Sequence, residues 1–260
     1  MKNNDSLEIK IENSLHIGFL LSLAGGFQDA YSYHCRDRVF ANAQTGNIVL
    51  FGGHLISGEF SLALRYFFPV LSFITGIYIA EWLKYFCRNN KKFHWRQITL
   101  AIQILLMIIV GFMPESTNIL ANIFLSFACA IQLESFKKFR GIAFATTMCI
   151  GNMRNATEFL ANYHITKDKD LKYKSTYYYS AILIFSIGAI LGFVCSKFLS
   201  LKSIWISIIP LFLALILLTL KENDKPLDNN LNKNVKDIEK NIINDVKEEF
   251  SYIKKMIQKK

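Results

Sequence analysis

Two neighbouring runs decide how this chain is read: Gly25-Gly26-Phe27-Gln28-Asp29-Ala30-Tyr31-Ser32-Tyr33, and then Val39-Phe40-Ala41-Asn42-Ala43-Gln44-Thr45-Gly46-Asn47. The first closes an apolar segment with a carboxylate, and the second is a polar, glycine-containing run inside the next. Backbone that leaves the helix at membrane depth is tolerated only where protein or a wet cavity satisfies it. The expectation is that Gly46 opens a helix, with Asn42, Gln44, Thr45 and Asn47 supplying neutral donors and acceptors beside Asp29. A second reading stays open, in which these residues glue helices together by close packing and interhelical hydrogen bonds.

The rest of the sequence supplies the context. Of 260 residues 52% are apolar and 19% charged, with a mean hydropathy of +0.26. Such totals are ordinary for a soluble domain, so the distribution has to decide. Charges gather in short clusters and in the last forty residues, and Ile98 to Met113 carries none. This argues against a soluble single-core enzyme and against a disordered chain. Eight segments follow: 15–33, 39–57, 62–86 (with Pro69, a kink by expectation), 95–113, 118–136, 142–163, 177–198 and 204–220. About 20 helical residues cross a 30 Å hydrocarbon layer. Six segments do so comfortably, while the second and sixth are too polar to decide.

The order of strong and weak segments repeats, 15–113 being echoed by 118–220 at a displacement of about 105 positions. Gly46-Asn47 then falls on Gly151-Asn152 and Asp29 on Glu134, while Phe40-Ala41 matches Phe144-Ala145 one residue out of step. Duplicated halves are how many transporters are built. Positive charge tests the topology. Lys84, Arg88, Lys91, Lys92 and Arg96 place the loop after the third segment in the cytoplasm, and the next loop has Glu115 and no base. Six crossings put Lys137, Lys138, Arg140, the Lys167–Lys174 cluster and both termini on that same side. Eight crossings put the Lys167–Lys174 cluster and the Lys-rich tail outside. With three crossings each, the two halves are inverted relative to one another.

The expected architecture is therefore an all-α, polytopic membrane helical bundle. A cytoplasmic arm over 1–14 precedes a transmembrane domain over 15–220, and a linker over 221–234 leads to a cytoplasmic helix over 235–260. In that tail Val235, Ile238, Ile242, Val246, Phe250, Ile253 and Ile257 form one apolar stripe, suited to a membrane surface or to self-association. The overall charge is +10, but the tail from Lys221 has 10 Lys against 8 acids. Most of the excess thus flanks apolar runs, where it is topogenic and not a nucleic-acid footprint. The acidic arm Asp5, Glu8, Glu12 has the wrong sign for a cleaved signal peptide. Five cysteines without a CxxC pair and five scattered histidines imply no disulfide framework, metal site or cofactor. P-loop, GxSxG, HExxH and Rossmann glycine patterns are missing, which argues against an enzyme.

The runs quoted at the outset resemble the signature of the YoaK-like bacterial membrane proteins, a family of unknown function with about six predicted spans. The resemblance covers roughly Leu15 to Leu220. It implies an integral inner-membrane protein with no catalytic residues. The second half departs from the first, with Ile150 where Thr45 stands.

Two functions compete at this point. One is a secondary transporter or permease for a small polar solute, with its site at the repeat interface: Asp29, Asn42, Gln44, Thr45, Gly46, Asn47, Glu134, Gly151 and Asn152. The other is a scaffold or sensor that recruits a partner through the C-terminal helix. Intramembrane carboxylates favour the first, although an ion pair of Asp29 with Arg36, or of Glu134 with Lys137, is the structural alternative. The expected partners are the lipid bilayer, the solute and another copy of the chain.

Overall fold

The computed structural model describes residues 2–87, 95–139, 142–143 and 146–223, with side chains over 16–87, 95–137 and 146–220. The tail helix expected over 235–260, and the bases Arg88, Lys91, Lys92 and Arg140, lie outside the described residues. The chain divides into two units, 1–219 and 220–260, and the second is described only as the end of a helix.

Among the described residues there are eight α-helices: α1 (Lys2–Cys35), α2 (Gln44–Ile56), α3 (Phe60–Cys87), α4 (Trp95–Phe112), α5 (Asn118–Ser135), α6 (Cys149–Thr166), α7 (Lys169–Leu199) and α8 (Ile208–Asn223), with short 3-10 turns at Glu115–Thr117 and Ser200–Ser207. A small hairpin also occurs there, β1 (Lys138–Phe139) with β2 (Ile142–Ala143), paired antiparallel with Phe139 opposite Ile142. Its second strand uses residues expected to begin a helix. That helix, α6, starts later, at Cys149, just as α2 starts at Gln44 and not at Val39.

The boundaries follow local chemistry. Pro114 cannot continue α4, and Asp168 caps α7 by accepting a hydrogen bond from the Asp170 N–H at 2.9 Å. Lys167, left-handed at φ 60°, makes the tight reversal from α6 into α7. Pro69 sits buried inside α3, which continues through it.

Four described stretches are long and apolar enough to cross a membrane: Phe60–Cys87, Trp95–Phe112, Glu115–Ser135 and Lys169–Leu220, the last containing α7 and α8. α1 falls outside that set, its apolar run being diluted by Gln28, Asp29 and other polar residues. At 1.5 Å per residue the 13-residue α2 spans about 20 Å, which is short of the hydrocarbon layer. Large apolar side chains such as Ile74, Trp82, Leu105, Phe112, Leu183, Ile190 and Phe212 face outward. An apolar exterior around a core of buried Gln, Asn, Ser and Arg suits lipid as solvent.

Small residues set the main helix contacts. α1 and α7 run parallel and nearly touch: a Cβ on Gly192 would stand 2.6 Å from the Phe27 carbonyl and 2.8 Å from Ala30 Cβ, while Gly26 and Gly188 approach Phe185 and Leu23 more closely still. α3 and α5 pair in the same sense, with a Cβ on Gly76 placed 2.7 Å from Ala130 Cβ and 2.9 Å from the Phe127 carbonyl. Close backbone approach of this kind replaces the hydrophobic drive that helices lack within lipid.

Candidate functional site

The site begins where α1 hands over to α2. After α1 ends, residues 36–43 turn back along it and descend beside its last turns. The Ala41 N–H donates to Ser32 Oγ (3.1 Å), and the Asn42 N–H to Asp29 Oδ1 (2.7 Å). Deeper still, Asn42 Nδ2 reaches the Gly25 carbonyl (3.2 Å). α2 then starts at this depth. Asn47 holds the returning strand from within α2: its Oδ1 accepts from the Phe40 N–H (3.1 Å) and its Nδ2 donates to the Phe40 carbonyl (2.8 Å).

The second polar run does the same on the other side. Residues 146–148 lead into α6 at Cys149, and Thr146 Oγ1 accepts from Gln132 Nε2 (3.1 Å). Thr147 lies against Gly25, where an added Cβ would meet its methyl. The starts of α2 and α6 therefore converge on α1 near Gly25 and Asp29. Between them opens a cavity of about 740 Å³, lined by Asp29, Asn42, Gln44 and Thr45 on one side and Thr147, Cys149, Ile150 and Gly151 on the other. Aromatic and apolar side chains complete the wall, among them Tyr33, Phe40, Phe73, Met148, Phe185 and Phe193. Tyr33 stacks on Phe40 (centroids 5.0 Å apart) and meets Phe193 edge-on (6.4 Å).

Of the residues expected at the site, Asp29, Asn42, Gln44, Thr45 and Gly151 line this cavity. Asn47 and Asn152 are buried beside it, and Asn47 acts by positioning the strand. Gly46 does not open a helix. The irregular backbone precedes it, because α2 begins at Gln44 and Gly46 is already in its first turn. Gly151 likewise lies inside α6, where an added Cβ would meet nothing within 4 Å.

Glu134 is elsewhere. It forms an ion pair with Lys137, whose Nζ also binds Glu81 Oε1 at 2.9 Å; Lys84 closes the group at 3.2 Å from Glu81. This cluster ties the ends of α3 and α5 together, so the structural alternative holds for Glu134. Lys137 is held protonated above its usual range, by its bond to Glu134 first and then by Glu81. The alternative fails for Asp29, which has no ion pair among the described residues. Arg36 instead turns away to bind neutral acceptors: Val110 O (2.7 Å), Met113 O (2.9 Å), Asn118 Oδ1 (2.9 Å), Pro114 O (3.3 Å) and Tyr31 OH (2.9 Å). Fully buried, it fastens the end of α1 to the turn between α4 and α5.

A further polar group was not singled out from sequence. Gln103 Nε2 donates to Gln132 Oε1 (2.7 Å) and to Gln28 Oε1 (3.4 Å), all three residues being buried. Cys129 Sγ also points at Gln28 Oε1 (3.3 Å). The signal for it was present: Gln28, Gln103 and Gln132 are glutamines within apolar runs.

Fold and site together define a polytopic membrane-type helical protein with a half-open, mainly apolar cavity bearing one carboxylate. The chain belongs to the family described as protein of unknown function (DUF1275), whose family model matches residues 17–217. No curated protein and no solved structure matches it.

Proposed function

We propose that this protein is a secondary transporter or permease for a small solute, with its binding site in the cavity between the starts of α2 and α6. The observation that carries the reading is the cavity's lining: both polar interruptions of the sequence contribute to one space, and a carboxylate without an ion-pair partner faces into it. Such a site, built from irregular backbone and half-length helices, is how membrane transporters hold polar groups away from lipid.

The inverted-repeat reading is supported by the packing. Leu23 meets Gly188 as Phe127 meets Gly76. Leu23 and Phe127 are 104 positions apart, and Gly76 and Gly188 are 112 apart, so each first helix of one half seats the third helix of the other in the same way. That register pairs Gln28 with Gln132, which both reach Gln103, and sets Glu134 against Ala30, not Asp29. In this reading α1, α3, α4, α5, α7 and α8 cross the membrane, while α2 and α6 enter from opposite faces and return. Lys84, Arg96, Lys137 and the bases at the start of α7 then share one end of the bundle, the cytoplasmic one by the positive-inside bias.

Solute uptake by reconstituted vesicles tests the proposal. Uptake should fall in Asp29→Asn, which keeps the acceptor for the Asn42 N–H but removes the charge. Uptake by Asp29→Asn equal to that of the native protein, or no uptake of any solute in a broad panel, would refute it.

A further inference from the structure

The chemistry of the cavity wall is divided. On the α1 side stand acceptors: the Asp29 carboxylate and the Asn42 amide. Asn42 is 4% exposed, its Nδ2 is engaged by Gly25, and its Oδ1 is buried with no hydrogen-bond partner. A buried acceptor left unmatched is unfavourable, and a ligand N–H can relieve it.

Facing these are donors. α2 and α6 both begin at the cavity, and their N-cap positions, Ala43 and Met148, give no side-chain hydrogen bond to the first turn. In α2 these first donors are already used, the Gln44 N–H by the Asn42 carbonyl (2.9 Å) and the Gly46 N–H by the Ala43 carbonyl (3.0 Å). The start of α6 is the one left with unpaired first-turn N–H groups among the described residues, and its partial positive charge suits a carboxylate. Among the described residues lining the cavity there is no Lys, Arg or His to take that part. A solute carrying only a cation leaves the start of α6 without a partner, and one carrying only an anion meets Asp29. The remaining wall is apolar, dominated by Phe73, Phe185, Phe193 and Met148, and the space of about 740 Å³ is in the range that holds small organic ligands.

We infer that the cavity takes an amino-carboxylate zwitterion with an apolar body, of which an apolar amino acid is the simplest example. The inference rests on the transport reading above and names its substrate class. The ammonium is bound between Asp29 and Asn42 Oδ1, the carboxylate lies at the start of α6, and the body rests on the phenyl rings.

Binding to the purified full-length chain in lipid nanodiscs tests this with three probes that share one body. L-phenylalanine carries both charges, phenethylamine lacks the carboxylate and 3-phenylpropionate lacks the amine. Phenylalanine should bind at least about tenfold more tightly than either, the effect of one charged contact. Asp29→Asn should weaken phenylalanine about tenfold and leave 3-phenylpropionate no weaker. Gly151→Asp places a carboxylate at the start of α6 in open space, where it favours the helix. It should weaken phenylalanine by a similar factor without weakening phenethylamine. Equal binding of phenylalanine and either half-analogue, or binding of none of the three, overturns the inference. Uptake in vesicles separates the two claims. Flux of another solute class that is lost in Asp29→Asn, without phenylalanine binding, sinks the substrate class alone. Phenylalanine binding with no flux of any solute sinks the transport reading alone.

Discussion

Replacing Gly192 by Ala probes the contact on which the bundle depends most. The new Cβ would lie 2.6 Å from the Phe27 carbonyl oxygen, 2.8 Å from Ala30 Cβ and 3.0 Å from Phe27 Cα. Ordinary contact begins near 3.4 Å, so α7 must retreat from α1 by about 0.8 Å. Two of the three neighbours are backbone atoms, which cannot rotate aside. Overpacking of this sort costs about 1–3 kcal/mol. The upper end applies here, and the better helix propensity of Ala returns up to about 1 kcal/mol. The net expectation is a loss of about 2 kcal/mol, or roughly 4–8 °C in Tm for a unit of this size. Gly188→Ala should lose more, since Leu23 is nearer. Gly151→Ala is the matched control, because its Cβ enters open space and the helix gains. Reversible unfolding in mixed micelles, followed by circular dichroism, gives the three values under one condition. If Gly192→Ala were as stable as Gly151→Ala, the close pairing of α1 with α7 would be wrong.

Other expectations follow from the buried polar groups. Arg36→Met should cost about 3 kcal/mol or more in the same assay, because four acceptors at the α4–α5 turn lose their donor. Gln103→Leu should cost about 1–3 kcal/mol by leaving Gln28 and Gln132 without their shared partner. Lys137→Met should cost under about 1 kcal/mol and less in high salt, since its ion cluster is half exposed. The sign with pH is fixed by the raised Lys137 value. Its contribution is whole at neutral pH and is lost as pH climbs past the ordinary lysine value of 10.5, so the stability difference between Lys137→Met and the native protein should shrink on titration above that pH; an unchanged difference there would contradict the ion cluster. Reporter fusions after Pro114 and after Lys172 should lie on opposite sides of the membrane, the second with the cytoplasm; a shared side would contradict the six-crossing arrangement.

Much of this was legible in the sequence because lipid constrains it strongly. Long apolar runs marked the four described stretches that are long and apolar enough to cross a membrane, and Pro114 marked the end of α4. The polar run 42–47 was legible as a break, since Asn, Gln, Thr and Gly at membrane depth need partners. Its geometry was not. The glycines drew attention as hinges, yet the irregular backbone comes before them, where Asp29 and Asn47 hold residues 40–42 by their backbone groups. Local sequence does not reveal which side chains will bind that backbone. Glu134 lies away from the cavity, in an ion cluster with Lys137 and Glu81; in the repeat register proposed above it matches Ala30 and not Asp29, and one residue on a helix turns a side chain by about 100°. Arg36, weighed as an ion-pair partner for Asp29, is instead a buried fastener, which only long-range contacts with α4 and α5 could show.

The most direct measurement places one reporter on each side of the cavity. In a variant lacking Cys35, Cys87, Cys129 and Cys195, the native Cys149 and, separately, a cysteine replacing Thr45 are exposed to a membrane-impermeant thiol reagent in sealed vesicles. Both positions should react from the aqueous phase, and one solute should shield both. Reaction of either position only after detergent is added, or shielding of one without the other, would mean that the two polar turns do not share a water-filled space.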